Sequence, residues 1–268
     1  MKRWWLIPVC CVLLLPVVYL IKGSFEGAVG LIKMPPSLIP RGVTLQNYGD
    51  LIRGCGMFGR WVFNTAVLAF VVSITAISVT LCAGYAMAQK FPGHMIAFWL
   101  VVVSVVVPGM VLIIPRFLTM RLLHIPFGFV SAWLPLAYSP ISILLARAWM
   151  LQIGTEYIEQ ARLEGASEWR IVAQCIAPMC KPIIAIVIIH NGVAALGDYM
   201  WQNMVLRWPE QQTLIVGMLE FMSRYSGVGM PNPLGMRMAM AVILLIPTVG
   251  IFTIGHRWFV GEGKGLEW

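Results

Sequence analysis

The chain has 268 residues, of which 59% are hydrophobic and only 11% charged, whereas roughly a quarter of the residues in soluble globular domains are charged. That balance places the chain in a bilayer and excludes an ordinary soluble enzyme. Its 19 Lys and Arg against 11 Asp and Glu leave a net charge of +8, which in this setting fits loops beside anionic headgroups rather than nucleic acid.

At about 20 apolar residues per helical crossing, six crossings use roughly 120 residues, so one all-helical integral membrane domain is expected. Lys2 and Arg3 precede an apolar run from Trp4 to Ile21. No small-x-small site closes that run, so an uncleaved first span is expected rather than a secretory signal. A polar loop with Lys22, Glu26, Pro35, Pro36 and Arg60 follows, then a second run from Trp61 to Ala88. Gln89, Lys90, Pro92, Gly93 and His94 form a turn. A third run covers Met95 to Ile114, ended by Pro115, Arg116 and Arg121, and a fourth covers Phe127 to Ala146.

Between Arg147 and Lys181 the character changes, and four of the eleven acidic residues (Glu156, Glu159, Glu164, Glu168) fall together. A fifth run spans Pro182 to Leu196, and a sixth covers Met238 to Gly255 after a polar loop that includes Arg237. Six crossings put both termini on one side. With cytoplasmic termini the inner segments hold nine of the 19 basic residues and the outer ones ten, so charge alone does not orient the chain. The six cysteines include no Cys-x-x-Cys pair and lie mostly in apolar runs, which indicates neither a disulfide framework nor a metal site.

The acidic segment reads as two short helices meeting at a glycine. Thr155 is placed to cap the first, with Glu156 and Glu159 at the positive end of its dipole. Gly165 suits a left-handed stop, and Ser167 is placed to cap the second helix, which should end near Ala177 ahead of Pro178. Such a knob, mixing carboxylates with Tyr157, Leu163 and Trp169, fits either a groove on a soluble partner or the headgroup layer. No Gly-x4-Gly-Lys-Ser/Thr loop and no His-Glu-x-x-His occurs, and no span pairs carboxylates, so neither ATP hydrolysis, metalloproteolysis nor a proton relay is expected of this chain.

Glu159-Gln160-Ala161-Arg162-Leu163-Glu164-Gly165-Ala166-Ser167, followed by Ile176, Pro178 and Pro182, resembles the EAA loop of binding-protein-dependent ABC importer permeases. Ala83 to Ala86, Phe91-Pro92-Gly93, Pro108, Ile114-Pro115, Thr213-Leu214 with Gly217, and Lys264-Gly265 extend the likeness to the carbohydrate importer subfamily that includes the smaller permease of the maltose transporter. It departs at Gln160 and Glu164, and at Leu196-Gly197-Asp198-Tyr199, where the family has Trp-Asn-Asp/Glu-Phe.

The resemblance implies a six-span permease with a cytoplasmic pair of coupling helices. Residues 1–59 would supply the first span and outer loop, and residues 60–268 the permease core with its coupling loop at about 147–181. It implies a second permease subunit, two ATPase subunits that hold ATP and Mg, a solute-binding protein outside, and no cofactor on this chain. The location implied is the cytoplasmic membrane of a bacterium or archaeon, with both termini cytoplasmic. Glu159, Gln160, Ala161, Glu164, Gly165, Ala166 and Ser167 would meet the ATPase, with Ala161 and Ala166 allowing close approach.

For the solute pathway the candidates are His190, Asn191, Asp198, Tyr199 and Trp201. Adjacent residues on a helix diverge by about 100 degrees, so His190 and Asn191 should not both face a pathway squarely. Asn64 is a further polar residue of the second run, and Thr65, Ser73, Thr75, Ser78 and Ser104 are expected to bond between helices. The methionines from Met230 to Met240 and the loop of residues 202–237 offer an adaptable outer surface. A glycerol phosphate or polyol permease of the same family, and an ATP-independent secondary transporter, are the alternatives.

Overall fold

A computed structural model describes residues 6–32, 39, 42–89, 91–225 and 232–260. Thus Lys90, the Pro35 and Pro36 pair, Met230 and the Lys264-Gly265 motif lie outside the described residues. Every regular element among the described residues is helical. This is the form a spanning chain without a closed barrel must take, because lipid offers no partner for a free backbone N–H or C=O.

The helices are α1 (Leu6–Ser24), α2 (Ala28–Ile32), α3 (Gln46–Gly54), α4 (Phe58–Ala88), α5 (His94–Val106), α6 (Ile113–Leu122), α7 (Phe129–Trp133) and α8 (Pro140–Met150). They continue with α9 (Thr155–Leu163), α10 (Glu168–Arg170), α11 (Ala177–Met179), α12 (Lys181–Gly197), α13 (Tyr199–Val205), α14 (Leu214–Tyr225) and α15 (Pro233–Val260). Four stretches are long and apolar enough to cross a membrane, or five if the bent pair ending in α12 counts as one span.

The 31 residues of α4 extend about 46 Å at 1.5 Å per residue, longer than a hydrocarbon core of about 30 Å. This helix is the axis of the molecule. Around Trp61 it meets α3, α14 and α15; around Leu68 and Val72 it meets α7, α12 and α13; around Leu81 and Tyr85 it meets α8 and the acidic knob. α12 packs between α4 and α15, and α1 lies against α15. The crossing with α8 is close at Gly84, where a Cβ would stand 2.7 Å from the Ala146 Cβ and 3.3 Å from the Arg147 backbone nitrogen. Only a residue without a side chain lets these backbones approach so far.

Three of the expected spans are interrupted. The third run is not one helix to Ile114: α5 stops at Val106 before Pro108, and Pro115, Arg116 and Arg121 lie inside α6 rather than ending a span. α6 closes at His124, a non-glycine residue with φ 53°, whose N–H bonds the Arg121 carbonyl while Ile125 N–H bonds that of Met120. The fourth run breaks after α7 into a 3₁₀ turn, Leu134–Ala137, before Ser139 caps α8. The fifth begins with an 87° bend at Cys180 between the knob and α12. The knob's second helix ends at Met179, close to the expected end near Ala177. Pro178 supplies no N–H and crowds the Gln174 carbonyl, so Ile171–Ile176 winds as a wider π-helix and the chain runs on to Met179. The sixth helix starts at Pro233, so Arg237 is helical rather than in a loop.

Polar side chains on α4 bond locally more than between helices. Ser73, Thr75 and Ser78 return to carbonyls of their own helix, which satisfies a hydroxyl in lipid without a neighbour. Asn64 instead donates to the carbonyls of Glu210 and Gln212, and Thr65 accepts the Leu214 N–H, so these two pin the loop that starts α14. At the same end Asn47 and Asn232 converge on the Glu26 carbonyl, and Asn232 also donates to Asn47. The methionines there are core residues, not an adaptable surface: Met218, Met222, Met236 and Met240 are buried around Trp61.

Candidate functional site

Two features are built for work: the knob between α8 and α12, and a cleft between α5, α6, α8 and α12. The knob's turn rests on Gly165, with φ 81° and nothing within 4 Å of the place a Cβ would take. Gly165 N–H bonds the Arg162 carbonyl and Ala166 N–H that of Ala161, both at 3.0 Å. This is the paired closure that ends a helix on a left-handed residue. Gly154 occupies the N-cap position of α9 and Thr155 is already helical. Ser167 has an extended N-cap backbone, but its side chain makes no capping bond.

Ile158 and Ile171 are buried beneath the knob among residues of α4, α8 and α12. Ala161 and Ala166 also turn inward, half-buried on the same cluster. Their small size therefore suits packing within this chain. Glu159, Gln160, Glu164, Gly165 and Ser167 face outward. Beside them stand Leu163 at 89%, Trp169 at 76% and Tyr157 at 62% exposure.

A side-chain latch joins this knob to α4. Arg162 donates from Nε to Glu168 Oε1 at 2.9 Å, and from Nη2 to Glu168 Oε2 at 3.3 Å and to the Tyr85 hydroxyl at 3.2 Å. Tyr85 in turn donates to Glu168 Oε2 at 2.6 Å. These bonds stabilise the Glu168 carboxylate, Arg162 most and Tyr85 next, and hold it below the ordinary glutamate range. Nearby, Arg147 ties α8 to α4, donating to the Met87 carbonyl at 3.1 Å while its guanidinium lies over the Phe98 ring. The latch is invisible to helix spacing rules, since residues 162 and 168 lie on either side of the turn and Tyr85 is distant in sequence.

The cleft encloses about 820 Å³. His190 and Asn191 both line it, but only His190 is exposed there, in keeping with the divergence of adjacent helix positions. Asn191 is buried and donates to the Leu136 carbonyl at 3.0 Å, a group the broken fourth span leaves open. His190 is exposed to the cleft, with Nδ1 at 3.4 Å from Ser139 Oγ and 3.3 Å from Asn191 Oδ1. Ser104 meets the Tyr138 hydroxyl at 2.8 Å across the opening, and Arg116 and Thr119 complete its polar wall.

The other pathway candidates lie elsewhere. Asp198 accepts the Trp201 N–H and starts α13, with Tyr199 half-buried beside it. Trp201 is 1% exposed and donates its indole N–H to the Ser131 carbonyl at 2.8 Å. It is a core residue and offers no face to a solute.

The family described as "Binding-protein-dependent transport system inner membrane component" matches residues 76–261. The chain belongs to that family. The match takes in the knob and the cleft, and leaves out α1 to α3 and the first part of α4. Members are permease subunits of ABC importers, working with ATPase and binding-protein partners in the inner membrane.

Curated relatives include the arabinooligosaccharides transport system permease protein AraQ of Bacillus subtilis (strain 168), 27% identical over 92% of this chain and 87% of that protein. Another is the sn-glycerol-3-phosphate transport system permease protein UgpE of Rhizobium meliloti (strain 1021), 26% identical over 95% and 91%. A chain from the crystal structure of a bacterial ABC transporter involved in the import of the acidic polysaccharide alginate shares the fold. That match has a TM-score of 0.79 at 17% identity and covers 96% of this chain and 95% of the other. A chain of the inward-facing MetNI methionine ABC transporter aligns with a TM-score of 0.55 at 20% identity, over 82% and 99%.

Proposed function

We propose that this permease moves a sugar, an oligosaccharide or a sugar-like phosphate by alternating access, with the knob as its coupling helix pair. The observation that carries this reading is the outward row of Leu163, Trp169 and Tyr157 on a knob held rigidly by the Gly165 turn and the Tyr85–Arg162–Glu168 latch. Apolar side chains this exposed on a fixed, charged scaffold match a groove on a soluble partner better than the headgroup layer, since Glu156, Glu159 and Glu164 surround them.

Six crossings are assigned to α1, α4, α5 with α6, α7 with α8, α12, and α15, with both termini cytoplasmic. A second permease would complete the pathway, and two ATPase subunits would hold ATP and Mg. Glu159, Gln160, Glu164 and Ser167 would make polar contacts with the ATPase. Closure of the ATPases would push the knob. The push would reach α4 through Tyr85 and α12 through the bend at Cys180, and α12 carries His190 and Asn191 into the cleft. The relatives that carry arabinooligosaccharides and glycerol phosphate support both substrate classes.

The test is to purify the tagged chain in mild detergent from its native membrane, as wild type and as Leu163→Glu. Wild type is expected to recover a nucleotide-binding ATPase and a second permease, and to import solute with ATP in liposomes. Leu163→Glu is expected to insert normally but lose the ATPase. Full ATPase recovery with Leu163→Glu would refute the docking assignment, and a wild-type chain that purifies alone and transports without ATP would refute the coupled import.

A further inference from the structure

The wall of the cleft carries one cation and no acid. Arg116, half-buried, lines it together with Ser104, Thr119, Tyr138, Ser139 and His190, and no Asp or Glu is among the described residues that do so. The Arg116 backbone N–H bonds the Leu112 carbonyl, but among the described residues its guanidinium has neither a hydrogen bond nor an ion pair. The Asp198 carboxylate feels it only through space and is already engaged by the Trp201 N–H.

Arg116 also sits near the start of α6, a helix with no acidic residue in its first turn, where a positive charge opposes the helix dipole. Neither helix stability nor an ion pair accounts for it. Asp198 acts on this guanidinium without contacting it, so its fork of N–H donors, which matches carboxylate and phosphate oxygens, stays open to the cleft. Thr119, exposed on the same wall, donates its proton to the Pro115 carbonyl and leaves its hydroxyl oxygen to accept from the rest of a polyol, while the buried Ser139 hydroxyl is engaged with Ser142.

We propose that this cleft selects solutes bearing an anionic group, a carboxylate or a phosphate, with Arg116 as the residue that reads the charge. The proposal rests on the permease reading above and narrows its substrate to acidic sugars or sugar-like phosphates.

The test places a thiol in the cleft as Thr119→Cys in the purified complex, reconstituted in phosphatidylcholine nanodiscs. Its modification by the neutral reagent methyl methanethiosulfonate is read by mass spectrometry at constant ionic strength. Digalacturonate or glycerol 3-phosphate at about 10 mM is expected to slow modification about threefold or more, the protection a site of millimolar affinity gives, while arabinotriose at equal concentration is not. Adding Arg116→Gln should abolish the protection, and Arg116→Lys should keep part of it. Equal protection by acid and neutral probes, protection by neither, or protection that survives Arg116→Gln would overturn the proposal. Loss of acid-specific protection when phosphatidylglycerol is included would overturn it in favour of a lipid headgroup at Arg116. Because cleft protection is read without transport, failure of the importer reading would show separately, as absence of the ATPase from the complex.

Discussion

Gly165 offers a substitution series whose order is set by backbone conformation alone. Its φ of 81° lies in the left-handed region, and a Cβ there would meet nothing within 4 Å, so side-chain volume carries no cost. An L-residue in that conformation is disfavoured by about 1–2 kcal/mol, with Asn tolerating it better than Ala. Gly165→Ala should therefore lower the ratio of hinged to unhinged knob by roughly 5- to 30-fold, at 1.4 kcal/mol per factor of ten.

Gly165→Asn, although larger, should lower that ratio less. Gly165→Pro fixes φ near −65° and removes the N–H that bonds the Arg162 carbonyl, at about 3 kcal/mol or more. The assay is ATP-dependent uptake into proteoliposomes, together with the amount of ATPase that copurifies and a membrane-insertion control. The expected order of activity is Gly, Asn, Ala, Pro. An Asn variant worse than Ala would show that volume rather than φ governs the site, and a fully coupled Pro variant would refute the role of the turn.

Gly84→Ala should overpack the crossing of α4 with α8 by about 1–3 kcal/mol and lower the thermal stability of the detergent-purified chain. Adding Ala146→Gly should restore part of the loss, because the Ala146 Cβ is the nearest atom to the new one; additive losses would refute the contact. Glu168 has a depressed pKa, so its contribution is present above the ordinary glutamate value of about 4.3 and is lost as pH falls through its lower folded value. Its exposure limits that contribution to about half a kcal/mol. Stability profiles should fall more steeply on the acid side for wild type than for Glu168→Gln, and superimposable profiles would refute the latch.

The membrane class, the all-helical architecture and the acidic knob were legible in the sequence because each rests on local composition or spacing. Apolar runs of bilayer length have few alternatives to a helix, and Gly165 between two helical patterns marks a left-handed stop. The family pattern added the proposal that an ATPase meets the knob. Helix ends were less legible. Pro108 and Pro135 lie inside apolar runs that hydropathy alone joins, and His124 takes a turn conformation without the glycine that would advertise it.

Which polar residues face the cleft was decided only by tertiary packing. Trp201 and His190 both lie on or just past the fifth run, yet one is sealed by the Ser131 carbonyl and the other opens to the cleft. Arg116 read as the end of a span, and became a cleft residue because the third run stops at Val106 ahead of Pro108 and resumes as α6, which lines the cleft. The sequence by itself determined the solvent this protein lives in and the segment that turns outward, since both follow from side-chain chemistry taken a few residues at a time. The latch from Tyr85 to the knob and the one cation among the described cleft residues depend on residues distant along the chain, and only the packing of α4, α6, α8 and α12 brings them together.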